Sequence, residues 1–148
     1  MAYGSNPLID ETTNIFYQIG GGLQPTESSR YIQALGTRAT ADYTAKNIFA
    51  QAKATKEFKP AQNLKAIVGP KLSYLWFYTP SYQETGAGGM NLNVDSFDSQ
   101  SLVAALEGDV IWSFPKDMEL MARASLGYDL INDSTFVGSS FQGGGALF

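Results

Sequence analysis

The sequence predicts an all-β chain, an antiparallel up-and-down meander of about seven or eight strands. Three observations carry that expectation. Segment after segment alternates apolar and polar residues with period two, which puts one set of side chains on each face of a pleated strand. Clusters of turn residues separate these segments, at Lys59-Pro60-Ala61-Gln62-Asn63, Pro115-Lys116-Asp117 and Asn132-Asp133-Ser134. Consecutive strands joined by short turns pair antiparallel. The chain also combines 15 glycines with 13% aromatic residues, and it carries little helical periodicity.

Taken in order, strands are expected near 14–22, 30–42, 46–58, 64–77, 100–114, 118–131 and 136–147, with a further short one at 90–95. Residues 1–28 are expected to be in part irregular. A long loop runs from Thr79 to about Ser99 and contains Gly86, Gly88 and Gly89. Asn91 occupies the place of a third glycine and no helix follows, so this is not a dinucleotide fingerprint. It reads as a flexible surface loop.

Register follows from the faces. In 102–114 the even positions are Leu102, Ala104, Leu106, Gly108, Val110, Trp112 and Phe114, and the odd ones include Glu107, Asp109 and Ser113. In 118–130 the even positions are Met118, Leu120, Ala122, Ala124, Leu126, Tyr128 and Leu130, and the odd ones include Glu119, Arg123 and Asp129. A one-residue slip would mix charge into the apolar set. Pro115-Lys116-Asp117 as the loop pairs Phe114 with Met118, Trp112 with Leu120 and Asp109 with Arg123. In the preceding hairpin, a loop at 59–63 pairs Phe58 with Leu64, Glu57 with Lys65 and Gln51 with Lys71. Opposite charges fall together in both hairpins, on the polar face.

Length and composition narrow the function. At 148 residues the chain is expected to be one β domain, 1–148. Ten Lys plus Arg face fourteen Asp plus Glu, with no basic run, so no nucleic acid is expected as a partner. Cys and His are absent, which removes His triads, Cys nucleophiles, disulfides and most transition-metal sites. No metal and no cofactor is expected. No apolar run approaches the ~18 residues of a membrane helix, and the N-terminal residues do not read as a signal peptide.

One apolar and one polar face admit two readings. In a soluble sandwich or small barrel that binds a ligand or partner, the apolar face is the core. In an outer-membrane barrel it faces lipid and the polar face lines the lumen. The aromatics bear on the choice. Phe58, Trp112 and Phe114 flank the short turns, while Tyr74, Trp76 and Tyr128 lie at the opposite ends of their strands. Small and aliphatic residues fill the interval, as two interfacial belts around a hydrocarbon band would require.

Several segments are familiar in order and spacing. They are Lys71-Leu72-Ser73-Tyr74-Leu75-Trp76, then Tyr82-Gln83-Glu84-Thr85-Gly86 running on to Leu92-Asn93-Val94, then Ser101-Leu102-Val103-Ala104-Ala105-Leu106-Glu107-Gly108. Leu126-Gly127-Tyr128 and Phe141-Gln142-Gly143-Gly144-Gly145-Ala146-Leu147-Phe148 complete the set. Together they resemble the translocator β-barrel of bacterial autotransporters, the type V secretion family, clearly over about half the chain. The resemblance implies an outer-membrane-type β-barrel in a Gram-negative bacterium. It implies as partners the lipid bilayer, a passenger polypeptide of the same precursor, and the outer-membrane assembly machinery. It also implies a helix in the lumen. This chain is shorter than such a barrel and shows no passenger and no such helix, so it is expected to be a piece of one.

Glu107, Asp109, Glu119, Arg123 and Asp129 share one face of one hairpin. They are expected to be lumen-facing charges, paired among themselves or touching a translocating segment. Lys53, Gln51 and Lys71 share that parity in their own hairpin and carry less weight. A carboxylate pair could in principle cleave glycosides, but no enzyme is expected. Phe58, Tyr74, Trp76, Trp112, Phe114 and Tyr128 are the expected membrane-interface aromatics. Phe77, Tyr78 and Tyr82 are expected to anchor the belt or the loop.

Overall fold

The computed structural model describes residues 1–8, 10–115, 117–131 and 135–145. Among these residues there are nine strands: β1 (Ala2–Pro7), β2 (Thr13–Ile32), β3 (Thr37–Ala61), β4 (Leu64–Thr79), β5 (Tyr82–Gln83), β6 (Leu92–Val94), β7 (Phe97–Phe114), β8 (Met118–Asp129) and β9 (Ser139–Phe141). Single 3-10 turns occur at Gln33–Leu35 and Gly88–Met90. A six-stranded sheet runs β1-β2-β3-β4-β7-β8, and a three-stranded one runs β5-β6-β9. The chain is therefore all-β and a meander, as the alternation requires.

The chain packs as two compact units. The first comprises Met1–Gly20, Phe49–Leu75 and Ser101–Asn132. Its best-specified part is the β7–β8 hairpin. Phe114 pairs with Met118, Trp112 with Leu120 and Asp109 with Arg123, antiparallel. Asp117 turns this corner at φ 57°, the left-handed residue that closes a three-residue hairpin loop. Asp tolerates that region better than most residues but at some cost. Asp117→Gly should therefore raise stability by about 0.5 kcal/mol, read as a higher urea midpoint with unchanged slope. A lower midpoint would contradict this account of the turn.

The β3–β4 hairpin differs from its expected form. The strands end at Ala61 and restart at Leu64, so the loop is Gln62-Asn63 rather than 59–63. Ser73, two positions along from Lys71, meets Gln51, with Oγ donating to Oε1 at 3.5 Å. A Cβ on Gly69 would lie 1.7 Å from Ala54 O and 2.9 Å from Thr55 Cα, so the bare glycine admits its partner's backbone. The turn residues Lys59, Pro60 and Ala61 stay within β3, so the strand runs further toward its partner than their composition indicates. Lys65 Nζ still reaches Glu57 Oε2 at 2.6 Å.

The N-terminal region is more regular than expected. β1 pairs with β2 from Ala2↔Ile19 to Pro7↔Asn14, and strand covers most of 1–28. Gly20-Gly21-Gly22 do not break β2. A Cβ on Gly20 would meet the Phe49 ring at 2.7 Å, and one on Gly21 would meet Asn47 O at 2.7 Å. These glycines allow close approach within a strand.

The second unit comprises Gly21–Ile48, Trp76–Gln100 and Asp133–Phe148. The break expected between 42 and 46 is absent. The turn lies at Gln33–Gly36, with Gly36 at φ 61°. The loop after Thr79 is an ordered assembly rather than a flexible one. It holds β5 and β6, paired Tyr82↔Val94, and β6 pairs β9 from Leu92↔Phe141 to Val94↔Ser139. The strand expected over 136–147 is confined to Ser139–Phe141. The turn at Asn132-Asp133-Ser134 and the residues Ala146, Leu147 and Phe148 lie outside the described residues, as does Lys116.

Candidate functional site

β7 shows how the first unit distributes polarity. Its even residues Leu106, Val110, Trp112 and Phe114 are exposed, while Asp109 between them is buried, with 7% of its surface exposed. On β8, Leu120 is 59% and Leu126 81% exposed. In a soluble sandwich or barrel Leu106, Val110, Trp112 and Leu120 would form the core, so that alternative fails here. The described apolar residues that are buried are Ala39, Ala41, Ala45, Ala87 and Val94, all in the second unit. On β7 the first unit thus holds an exposed apolar face and a covered charged one, while the edge strand β8 is exposed on both faces.

The covered face carries a connected set of charges. Glu107 on β7 accepts from two lysines at once, Lys53 Nζ on β3 at 2.8 Å and Lys71 Nζ on β4 at 2.9 Å. Two residues along, Asp109 receives the Arg123 guanidinium through both oxygens, with Nη2 donating to Oδ2 at 3.1 Å. Period-two geometry puts Glu107 and Asp109 on one face, and the sheet order β3-β4-β7-β8 brings cations from three different strands to them. Beside the network lies a depression of about 510 Å³, lined among others by Gln51, Lys53, Thr55, Asp109 and Arg123.

Two of the five charges expected together stand apart from this network. Glu119 accepts from Ser113 Oγ at 3.3 Å, beside the turn. Asp129 takes the far end of the hairpin, where Ser101 Oγ donates to it at 2.7 Å and the backbone N–H groups of Leu102 and Ile131 at 3.1 Å each. Lys53 and Lys71, given less weight in the sequence, are the partners that complete Glu107. Their common parity was the available signal. Their convergence on one carboxylate depends on strand order, which parity does not contain.

The second unit contains a residue that alternation does not single out. Glu84, in the bend between β5 and β6, is only 4% exposed. Arg30 of β2 binds both its oxygens, with Nε donating to Oε1 at 3.1 Å, and Leu92 N–H donates to Oε2 at 2.9 Å. Arg30 Nη2 also donates to Met90 O at 2.8 Å, and Gln142 Nε2 to Glu84 O at 3.1 Å. The Arg30 hydrogen bond holds the Glu84 carboxyl below its ordinary value, against the opposing effect of burial. Asn91 adds a second tie, accepting from Ala87 N–H at 2.8 Å and donating to Gln142 Oε1 at 3.2 Å. Glu84 and Arg30 form a clasp on the loop. The Glu-x-Gly spacing with Gly86 was its only trace in the sequence.

Of the expected interface aromatics, Phe58, Trp112, Phe114 and Tyr128 are exposed, and Tyr74 and Trp76 are half-buried. Trp112 and Phe114 stack at 5.6 Å in the first unit. In the second, Trp76 stacks on Tyr78 at 5.9 Å, and its indole N–H donates to Asp98 Oδ2 at 3.3 Å. Tyr82 stacks on Tyr43 with centroids 4.5 Å apart. Amphipathic rings with a polar tip suit a boundary between hydrocarbon and water.

Among the described residues no three Asp or Glu side chains converge closely enough to hold a metal ion. The arrangement offers a charged surface and an apolar one, set back to back across one sheet. A family model described as the autotransporter beta-domain matches residues 2–148. Searches of curated proteins and of solved structures returned no match.

Proposed function

Since the chain belongs to the autotransporter β-domain family, the outer-membrane translocators of Gram-negative bacteria, we propose that its charged sheet face lines the conduit through which a passenger segment of the same precursor reaches the cell surface. The exposed face of Leu106, Val110, Trp112, Leu120 and Leu126 then meets the bilayer. Phe58, Tyr74, Trp76, Trp112, Phe114 and Tyr128 lie at its interfaces, and Glu107, Asp109, Glu119, Arg123 and Asp129 face the lumen. The outer-membrane assembly machinery inserts the strands.

The observation that carries this reading is the inversion of burial in the first unit, where a carboxylate is covered and the aliphatic residues around it are not. In water that arrangement costs about 25 cal/mol for each Å² of apolar surface left exposed. In hydrocarbon it costs nothing, and the charges keep their solvent on the opposite face. The reading assigns no catalytic step, in keeping with a family of translocators rather than enzymes.

Adjacent positions of β3 test both faces at once. A photoreactive residue at Gln51 should crosslink a passenger stalled during export, and the same residue at Ala52 should crosslink phospholipid. Phospholipid capture from position 51, or passenger capture from position 52, would overturn the assignment of faces.

A further inference from the structure

β3 is a single unbroken strand of 25 residues. A membrane strand needs only about 9–11 residues. At ~3.4 Å per residue and a tilt of ~45°, 25 residues rise about 60 Å, well beyond the ~30 Å hydrocarbon core. Part of β3 therefore stands outside the hydrocarbon, and its side chains mark where.

The exposed, even-numbered face begins Arg38, Thr40, Asp42, Thr44 and Lys46, every one exposed. It continues as Ile48, Ala50, Ala52 and Ala54, and ends at Phe58. Ile48 and Phe58 are both 47% exposed. The covered, odd-numbered face changes in the opposite sense. Ala39, Ala41 and Ala45 are buried, and they give way to Gln51, Lys53, Thr55 and Glu57. One strand, with no change of parity, is apolar beneath and polar outside at its start, and polar beneath and apolar outside at its end. Propensity cannot produce such a reversal. A change of solvent along the exposed face does.

Lys56 is the exception within the apolar stretch, and it is accounted for. Its ammonium is drawn to Asp10 Oδ2 at 2.7 Å and Thr13 Oγ1 at 3.0 Å. Lys46 has no such partner among the described residues. From Ile48 to Phe58 the strand advances ten positions, which rise about 24 Å at the same tilt, against ~25 Å for the apolar band of an outer-membrane barrel.

We propose that the exposed face of β3 leaves the bilayer between Ile48 and Lys46, with Arg38–Thr44 facing water and Lys46 seated at the level of the lipid phosphates as their cationic partner. The inference rests on the lipid-facing assignment made above. A lysine one step beyond an apolar face can lay its methylenes on that face and raise its ammonium to the headgroups.

The chain has no cysteine, so single cysteines at 42, 44, 48, 50 and 52 can each carry a nitroxide. The protein is then placed in phosphatidylcholine vesicles containing phosphatidylglycerol. Labels at 42 and 44 should be relaxed by a water-soluble nickel chelate, and labels at 48, 50 and 52 by oxygen alone. With the label at 48, Lys46→Glu should lower the oxygen-to-nickel ratio several-fold, and Lys46→Arg should leave it unchanged. Oxygen-only labels at 42 and 44 would place the boundary elsewhere and overturn this inference while leaving the lipid-facing reading intact. Nickel-accessible labels at 48–52 would defeat that reading itself. Equal ratios for Lys46→Glu and Lys46→Arg would remove Lys46 from the headgroup contact.

Discussion

Glu107→Ala should lower the unfolding free energy of the protein in phospholipid vesicles by about 2–3 kcal/mol, toward the low end for breaking a buried ion pair, because water reaches the network. The carboxylate holds two ammonium groups, one on each oxygen, at 2.8 and 2.9 Å. Its removal leaves Lys53 and Lys71 without their shared carboxylate, and Asp109, two residues along β7, is already committed to Arg123. Two like charges on a covered face repel, and neither retains its hydrogen-bond acceptor. Replacing the whole group, Lys53→Met with Glu107→Leu and Lys71→Met, should cost less than the single change, because no unpaired charge remains. Urea titration followed by far-ultraviolet circular dichroism gives both numbers. A single-variant loss below about 0.5 kcal/mol would place these charges among weak surface pairs. A triple variant less stable than the single would show that the network contributes more than its own compensation.

The second large effect is expected at the loop clasp. Glu84→Ala removes the acceptor of Arg30 and of the Leu92 N–H together. About 2–4 kcal/mol of local stability should go with it, because the half-buried Arg30 guanidinium keeps only Met90 O and the Leu92 amide loses its acceptor. Amide exchange at Leu92 should accelerate by roughly one to three orders of magnitude, at one order per 1.4 kcal/mol. Exchange in the β7–β8 hairpin should not change. Glu84→Gln should fall between, since it keeps an acceptor and loses the charge.

The clasp also has a defined pH response. Arg30 lowers the carboxyl of Glu84 below its ordinary 4.5 in the folded protein, so the unfolded loop binds a proton at a higher pH than the folded one does. The stabilisation is therefore complete above pH 4.5 and is lost as pH falls through the lowered folded value. Leu92 protection should be flat from pH 7 down to about 5 once intrinsic exchange is corrected. It should decline only at more acidic values. Protection that declines as pH rises from 5 to 7 would reverse the assigned sign.

How far the sequence reaches differs between elements. The β7–β8 register was legible because its loop length had to be odd and because Asp109 and Arg123 marked one pair. The β3–β4 loop was not, because Lys59, Pro60 and Ala61 carry turn composition yet remain in β3, while Lys65 reaches Glu57 as the alternation expects. The gap expected between 22 and 30 is absent, and Gly20 and Gly21 within β2 serve the close approach of Phe49 and Asn47. The turn at Gln33–Gly36 was hidden because only Gly36 in it is a turn residue. The role of Glu84 was not legible from alternation, because a residue between strands has no period to place it on a face.

Alternation by itself determined that this chain forms antiparallel sheets with one apolar and one charged face, and that Glu107, Asp109 and Arg123 share the second. It could not say which face turns outward, because a period-two pattern is unchanged when the two solvents are exchanged. The tertiary structure decided that by exposing Leu106 and Leu126 and covering Asp109. It also decided which cations meet Glu107, since Lys53 and Lys71 lie on the β3–β4 hairpin, distant in sequence from β7 and brought beside it only by the strand order β3-β4-β7. Local pattern dictates what lies on each face of a strand, and strand order dictates what each face meets.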